Sequence, residues 1–319
     1  MYHISLDQVS FIGQGLHRPE CVLTTKQGDL FVTDSRGGIS VLRADGTQDF
    51  IKATGVPDGF LPNGIALTPE RHFLIANLAA EGGVWRMDQS GEATLLLDRI
   101  DGEIMPPVNF VGLDRSGRTW ITYSTRLQPR EGAMTKGWAD GFIAVMDEKG
   151  ARIVAVNIGY TNEAIVDPTG QWLYVNETVA QRTIRFPIGA NAQLGDREVV
   201  AAYPPATFPD GFTFDSEGGV WCVSVASNRV FHVSKDGKQT IVLEDNDPAR
   251  MKEVADAFDS GTFERQHIDA GKERSLNNIA SIAFGGDDLK TVYMGSLFGD
   301  GIATFRAPVA GAPPVQWDY

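Results

Sequence analysis

One segment pattern occurs six times along the 319 residues of this chain, and it constrains the fold more than any other feature. Each copy opens with polar residues beside Pro or Gly, continues into a short apolar run and a turn with Asp or Gly, and then gives further apolar runs. A repeat of about 40–50 residues with several strands in each copy is typical of a β-propeller. We therefore predict an all-β fold, a six-bladed β-propeller that forms a single domain over residues 1–319. The six copies begin at Arg18, Leu61, Pro106, Tyr160, Phe208 and Asn277.

The apolar runs have the composition of β-strands. Residues 172–175 and 220–223 are rich in aromatic and β-branched side chains, which favour a pleated and buried surface. Turn pairs such as Asp45-Gly46 and Asp236-Gly237 separate the runs. We expect the segment before Arg18 to supply a strand to the last copy, because pairing the two ends of the chain closes the ring and protects its sheet edges.

Two segments interrupt the repeat, at about residues 126–141 and 244–276. The second contains Met251, Val254 and Phe258 at helical spacing behind Asp247-Pro248, a typical start of a helix. We predict one short helix there, inserted before the last blade. Two interpretations stay open: the insertion covers a sheet edge, or it forms a lid over a pocket.

Charge and composition exclude several kinds of partner. The net charge of −13 repels nucleic acids and anionic membrane surfaces, so we expect a small-molecule substrate instead. Only two cysteines are present, so no disulfide framework is indicated.

The N-terminus lacks the pattern of a signal peptide and no apolar run is long enough to span a membrane, which predicts a cytoplasmic location. The oligomeric state is left open.

A side chain that bears an amide or carboxylate oxygen precedes the first strand of every copy. In a propeller, equivalent positions of successive blades surround one channel, so we expect these side chains to converge. Asn and Asp also stabilise turns, but turn chemistry would equally accept Ser, Thr or Gly at some of the six positions. The residues are Glu20, Asn63, Asn109, Asn162, Asp210 and Asn277 or Asn278.

Such a ring of oxygen atoms suits a hard cation. Ca²⁺ accepts six to eight oxygen ligands and mixes carboxylates with amide carbonyls, so it is the first expectation. Mg²⁺, Mn²⁺ and Zn²⁺ stay open as alternatives, although the His and Cys ligands that Zn²⁺ prefers are absent from these positions.

At these residues the chain resembles the regucalcin/gluconolactonase (senescence-marker-protein-like) family of six-bladed β-propellers. The resemblance implies that Glu20, Asn162 and Asp210 hold the metal ion. It implies that Asp210 is also the catalytic base or nucleophile, that Asn109 contacts metal or substrate, and that the reaction is hydrolysis of a lactone. The motifs that carry it are Pro19-Glu20, Asn109 with Asp114-x-x-Gly117, Thr161-Asn162 with Asp167-Pro168-x-Gly170, and Pro209-Asp210-Gly211 with Asp215-x-x-Gly218.

The chain departs from this family beside Asn109. Sugar-lactonase members place an Arg two residues before this Asn and an Asp just after it, whereas this chain has Pro107 and Phe110. Neither residue can bind a hydroxylated sugar through paired hydrogen bonds. We therefore expect a small lactone that is less polar than a sugar lactone, or aromatic. The expected substrate-binding residues are Asn63, Asn109, Phe110, Trp138 and Asn278.

Other functions are compatible with the same residues. A metal-centred pocket also suits a phosphotriesterase-like hydrolase, and an isomerase or lyase acting on an aromatic substrate is a further alternative. A propeller can also bind Ca²⁺ without being an enzyme, because fold does not determine function. His17 and His267 are alternative bases that could reach the pocket.

Overall fold

The computed structural model describes residues 2–319 and shows six four-stranded antiparallel sheets, which we number as blades in chain order. The predicted six-bladed β-propeller is thereby confirmed. Blade 1 contains Val22–Thr24, Leu30–Asp34, Gly38–Leu42 and Gln48–Lys52. Blade 2 contains Pro62–Leu67, Phe73–Asn77, Val84–Met87 and Ala93–Leu97. Blade 3 contains Phe110–Leu113, Thr119–Tyr123, Gly141–Asp147 and Gly150–Ile158. Blade 4 contains Thr161–Val166, Trp172–Glu177, Arg182–Pro187 and Glu198–Ala202. Blade 5 contains Pro209–Phe214, Val220–Ser224, Arg229–Val233 and Gln239–Glu244. Blade 6 contains Ile279–Gly285, Thr291–Ser296, Ile302–Arg306 and Ser10–Ile12.

The two ends of the chain meet in blade 6, as expected from the sequence. The N-terminal strand Ser10–Ile12 pairs antiparallel with Ile302–Arg306, and Phe11 lies opposite Ala303. The outermost strand of this blade therefore comes from one end of the chain and the three inner strands come from the other. This pairing supplies the last edge of the ring with a hydrogen-bonded partner.

The Asp-x-x-Gly turns connect the first two strands of a blade and hold them to its core. In blade 5 the Asp215 carboxylate accepts hydrogen bonds from the backbone N–H of Gly219 at 2.7 Å and from Nε1 of the buried Trp221 at 3.0 Å. Asp114 accepts from Trp120 Nε1 in the same way in blade 3, at 2.8 Å. These motif residues thus stabilise the blades.

The helix predicted in the second insertion is present as α1, Pro248–Ser260, and a short helix α2, Arg265–Ile268, follows it. Asp247 caps α1 by accepting a hydrogen bond from the N–H of Ala249 at 2.8 Å. The helix ends at Gly261, whose φ of 75° is the left-handed conformation that glycine adopts without strain.

Both insertions pack over the same face of the propeller. Met251, Val254 and Phe258 of α1 form one apolar cluster with Ala133 of the first insertion and with Phe208 at the start of blade 5. The remaining elements are a hairpin and four 3₁₀ turns: Arg99–Ile100 with Glu103–Ile104, and Leu6–Gln8, Arg130–Ala133, Ala190–Ala192 and Asp269–Gly271. Within residues 2–319, none of the helices has the length and apolar character needed to cross a membrane.

Candidate active site

The structure brings four of the predicted residues together in one cavity at the mouth of the central channel. Glu20, Asn109, Asn162 and Asp210 all line it, and they come from blades 1, 3, 4 and 5. A second and larger cavity of about 160 Å³ lies further along the channel, where apolar side chains of the inner strands and residues 312–316 surround it. We assign the chemistry to the smaller cavity, about 50 Å³, because its wall contains the convergent polar groups.

Each of these residues lies at the start of an innermost strand. Asn162 and Asp210 are the second residues of their strands, and both strands have an irregular register with the next strand at this point. Such a bulge changes the direction of side chains, so neighbouring residues need not point to opposite faces. Glu163 shows the effect, because it also lines the channel although it directly follows Asn162.

The two amides in the cavity each have an oxygen atom that is free of protein partners in the described part of the chain. Asn162 Nδ2 donates to Thr178 Oγ1 at 3.2 Å, so its Oδ1 is the atom left for the cavity. Thr178 in turn donates to the carbonyl oxygen of Pro209 at 2.8 Å and thereby connects blades 4 and 5 beside Asp210. The Oδ1 atom of Asn109 is buried and has no hydrogen-bond partner among residues 2–319. An oxygen atom left in this state indicates that a ligand is missing.

Buried negative charge is concentrated below these amides. Burial raises the pKa of the Asp210 carboxyl well above its usual range, and the nearby charges of Glu20 and Glu163 raise it further. Burial also raises the pKa of Glu163 to about 8, while the N–H of Phe212, which donates to its carboxylate at 3.1 Å, acts in the opposite direction. Glu163 is not among the residues predicted from the sequence, and strict strand alternation would direct its side chain away from that of Asn162.

Arg18 supplies a positive charge to this cluster. Its guanidinium forms an ion pair with Glu20 and donates through Nη2 to Asn63 Oδ1 at 2.9 Å. Its other terminal nitrogen, Nη1, is buried without a partner within the described chain. Arg18 lies two residues before Glu20, so a search of the opening segments for cations would have found it.

The other predicted substrate-binding residues do not line the mouth cavity. Asn63 lies directly behind it, where Nδ2 donates to the carbonyl oxygen of Asn109 at 2.8 Å. Asn278 holds the second insertion, since its Nδ2 donates to the carbonyl oxygen of Ile268 at 2.7 Å. The ring of Phe110 lies against Gly64 and lines the deeper cavity, and Trp138 is exposed at the surface. Asn277 is also outside the cavity and donates to the carbonyl oxygen of Lys272 at 3.0 Å.

The candidate histidine bases are also placed elsewhere. Neither His17 nor His267 lines the mouth cavity. His267 is buried in the second insertion, where its Nδ1 accepts the N–H of Glu264 at 2.8 Å and its ring stacks on Phe263. This contact gives His267 a structural role.

The insertions contribute side chains that sequence reasoning did not select. Arg130 and Glu131 come from the first insertion and Arg265 comes from α2, and all three line the cavity. Their positions depend on how the insertions fold back over the propeller, which no repeat pattern reports. Tyr160, the first residue of the fourth copy, also lines the cavity.

The donors in the cavity fit a hard divalent cation. The four predicted residues supply two carboxylates and two amide side chains, and the unpartnered oxygen of Asn109 is the kind of atom a cation would satisfy. Among residues 2–319, no three His, Cys, Asp or Glu side chains form a metal-binding group by themselves, so the amide oxygens would have to complete the ligand set. Arg18 competes for Glu20, and its ion pair would have to loosen when a cation binds.

The fold and the cavity define a six-bladed β-propeller with acidic and amide side chains gathered at the mouth of its channel. Residues 18–245, more than half of the chain, match the family model described as SMP-30/Gluconolactonase/LRE-like region. The chain therefore belongs to this family, and the resemblance inferred from its motifs is confirmed.

Individual relatives are distant. A 6-deoxy-6-sulfogluconolactonase of Pseudomonas putida is 24% identical over 222 residues, which are 69% of this chain and 64% of that protein. The chain thus matches less than two thirds of this relative's length.

Solved structures show the same fold. A gluconolactonase from Xanthomonas campestris is 18% identical, with a TM-score of 0.69 over 94% of this chain and 89% of that one. The calcium-binding protein regucalcin from Agrobacterium tumefaciens is 17% identical, with a TM-score of 0.67 over 98% of this chain and 97% of that one.

Proposed function

We propose that this protein is a metal-dependent lactonase that opens a small lactone ring at the mouth of its channel. The observation that carries the proposal is the convergence of Glu20, Asn109, Asn162 and Asp210 from four blades on one cavity. Family membership supports it, as does the lactonase name of the Pseudomonas relative. Ca²⁺ is the first expectation for the metal, because the donors are carboxylate and amide oxygens and the regucalcin neighbour is described as calcium-binding.

Glu20, Asn162 and Asp210 would hold the cation, with Asn109 beside it. When bound, such a cation supplies a Lewis acid that polarises the lactone carbonyl and stabilises the negative charge formed on its oxygen. Asn109 orients the substrate through its free side-chain oxygen or its amide group.

Asp210 acts as the general base in this proposal. It accepts a proton from water while the water oxygen bonds to the carbonyl carbon. The bond from that carbon to the ring oxygen then breaks, and the ring oxygen takes the proton and becomes the hydroxyl of a hydroxy acid. A cation bound to Asp210 would lower the pKa of its carboxyl and so weaken it as a base. Direct attack by the Asp210 carboxylate on the carbonyl is the alternative.

The substrate body would pack against the apolar part of the cavity wall. Phe110, which together with Pro107 prompted the expectation of a less polar or aromatic lactone, does not line this cavity, and neither does Trp138. The apolar surface comes instead from Met134, Tyr160, Val225, Ile268 and Leu297. These side chains support a lactone with an apolar face, although different residues provide the contact.

The test is a hydrolysis screen of the metal-reconstituted protein on sugar, aliphatic and aromatic lactones, with a phosphotriester as comparison. Asp210→Asn should lower kcat on the best lactone at least about 100-fold, since it removes a base without changing volume. Asp101→Asn is the matched control, because Asp101 is exposed on a hairpin, does not line the cavity and has a φ of 53°, which Asn tolerates.

Full activity of Asp210→Asn, or no metal-dependent hydrolysis of any lactone by the unaltered protein, would contradict the proposal. Metal-dependent hydrolysis of the phosphotriester alone would favour the phosphotriesterase alternative. Metal binding without any turnover would favour the non-enzymatic alternative.

A further inference from the structure

Positive charge gathers on one side of the mouth cavity. Arg18, Arg130 and Arg265 all line it, and they come from the opening of blade 1, the first insertion and α2. Three arginines in one cavity are unexpected in a chain with a net charge of −13, because Asp and Glu residues outnumber Lys and Arg residues. Each insertion thus adds one guanidinium to the wall of the site, and the first insertion also adds the Glu131 carboxylate.

Arg130 has no protein partner for its charge. Among residues 2–319, the half-buried Arg130 side chain forms no ion pair and donates no hydrogen bond, and its guanidinium lies over the ring of Tyr160 at 5.9 Å from the centroid. By contrast, the other arginine of the same loop, Arg126, lies over Phe142 outside the cavity. An unpaired guanidinium in a concave site is available to a ligand.

Arg265 is held in place and keeps its terminal nitrogens available. Its Nε donates to both carboxylate oxygens of Asp269 at 2.8 Å, which fixes the side chain from behind. No hydrogen bond within the described residues involves the Nη1 or Nη2 atoms of Arg265. The Tyr160 hydroxyl, whose ring lies under Arg130 in the same cavity, also lacks a hydrogen-bond partner in the described chain, so the three groups together present several free donors.

Arg18 gives a second, independent observation. Its Nη1 is buried and has no partner, although its Nη2 is bound to Asn63 and Glu20. A buried donor without an acceptor is costly, and a polar atom of a ligand in the cavity would satisfy it.

We propose that Arg130 and Arg265, with the Tyr160 hydroxyl, bind a carboxylate group of the substrate, so that the lactone carries an acidic substituent. A planar carboxylate matches the paired donors of guanidinium groups. The lactone ring then lies towards Asp210, and its polar groups reach Arg18 Nη1. The arginine that sugar lactonases place beside the third-blade Asn is replaced here by Pro107, and guanidinium groups from the two insertions take over recognition. This inference rests on the proposed lactonase function.

The test compares two γ-lactones that differ in one group: γ-valerolactone and 5-oxotetrahydrofuran-2-carboxylate. The unaltered, metal-reconstituted protein should have a kcat/KM at least tenfold higher for the acidic lactone. Arg130→Gln and Arg265→Gln should each remove most of this preference, chiefly by raising KM for the acidic lactone. Arg126→Gln, which changes an arginine outside the cavity, should keep the preference.

Binding of glutarate provides a readout that does not require turnover. Calorimetry should show that glutarate binds the unaltered protein and that Arg130→Gln weakens binding at least tenfold, with the thermal midpoint of the variant unchanged. If no lactone is hydrolysed but glutarate binds in this way, the lactonase function fails and the carboxylate site stands. Equal hydrolysis of both lactones, or no binding of glutarate by the unaltered protein, would overturn the carboxylate site while leaving the lactonase function intact.

Discussion

Removal and return of the metal ion gives the most direct test of the site. The structure places the carboxylates of Glu20, Glu163 and Asp210 close enough that burial and mutual repulsion raise the pKa of Asp210. A divalent cation among them would offset this repulsion in the folded protein and would have no such site in the unfolded chain. We therefore expect protein treated with a chelator to unfold at a lower temperature than protein with added Ca²⁺.

The size of the effect follows from binding and chain length. A ligand at one hundred times its dissociation constant stabilises the folded state by about 2.7 kcal/mol. The entropy of unfolding is about 2.1 cal/mol/K per residue, so in a chain of 319 residues each kcal/mol shifts the unfolding temperature by about 1.5 °C. Saturating Ca²⁺ should thus raise the Tm by about 4 °C, measured by calorimetry or circular dichroism.

Variants of the proposed ligands distinguish Ca²⁺ binding in the mouth cavity from weak Ca²⁺ binding at the acidic surface. Glu20→Gln and Asp210→Asn should each reduce the Ca²⁺-dependent shift to less than about 1 °C at the same Ca²⁺ concentration, because each removes one carboxylate from the ligand set. Asp101→Asn removes an exposed carboxylate and should keep the full shift. If Ca²⁺, Mg²⁺, Mn²⁺ and Zn²⁺ all leave the Tm unchanged, or if both ligand variants respond like the unaltered protein, the reasoning is refuted.

Two further predictions concern the frame that positions the site. Asp215→Asn should lower the stability by about 1–3 kcal/mol, because one carboxylate oxygen that serves Trp221 and His232 is lost. Burial alone would raise the Asp215 pKa, but hydrogen bonds from His232, Gly219 and Trp221 lower it overall. The stability that the Asp215 carboxylate contributes is therefore present above the unfolded pKa of about 3.9 and is lost as the pH falls through the lower folded pKa. Denaturant unfolding should show that the difference in stability between the unaltered protein and the variant narrows below about pH 4. A difference that stays constant with pH would contradict this. Gly211→Ala should lower both Tm and lactone turnover, because a Cβ there would lie 2.6 Å from the carbonyl oxygen of Ala280 in blade 6. Unchanged turnover and Tm would contradict this and would show that blades 5 and 6 can move apart at little cost.

Much of the fold could be predicted because the local structure of each blade is encoded in its own copy of the repeat. Each copy carries its own strand pattern and turn residues, and the same unit must pack against its neighbours all round the ring. The helix α1 was predictable for the same reason, since Asp247, Pro248 and Gly261 mark its ends within the sequence. The N-terminal closure followed from the need to pair the edge of blade 6.

The candidate site was predictable only in part. Glu20, Asn109, Asn162 and Asp210 reach one cavity because equivalent positions of a ring share one axis. The same argument does not hold for Asn278, whose side chain binds the inserted segment, and Phe110 beside Asn109 has its ring against Gly64 of blade 2. A register irregularity at the start of a strand is decided by contacts with the neighbouring blade, so it also concealed Glu163.

The sequence by itself determined the ring of six blades and the polar residue at the opening of each, because both are encoded within a single copy of the repeat. Only the tertiary structure decided which of those openings share the cavity and which arginines stand over it. Arg130 and Arg265 lie 135 residues apart in the chain, in segments without repeat periodicity. The apolar packing of α1 and Ala133 on the propeller face brings the two segments together, and such packing depends on contacts between distant residues.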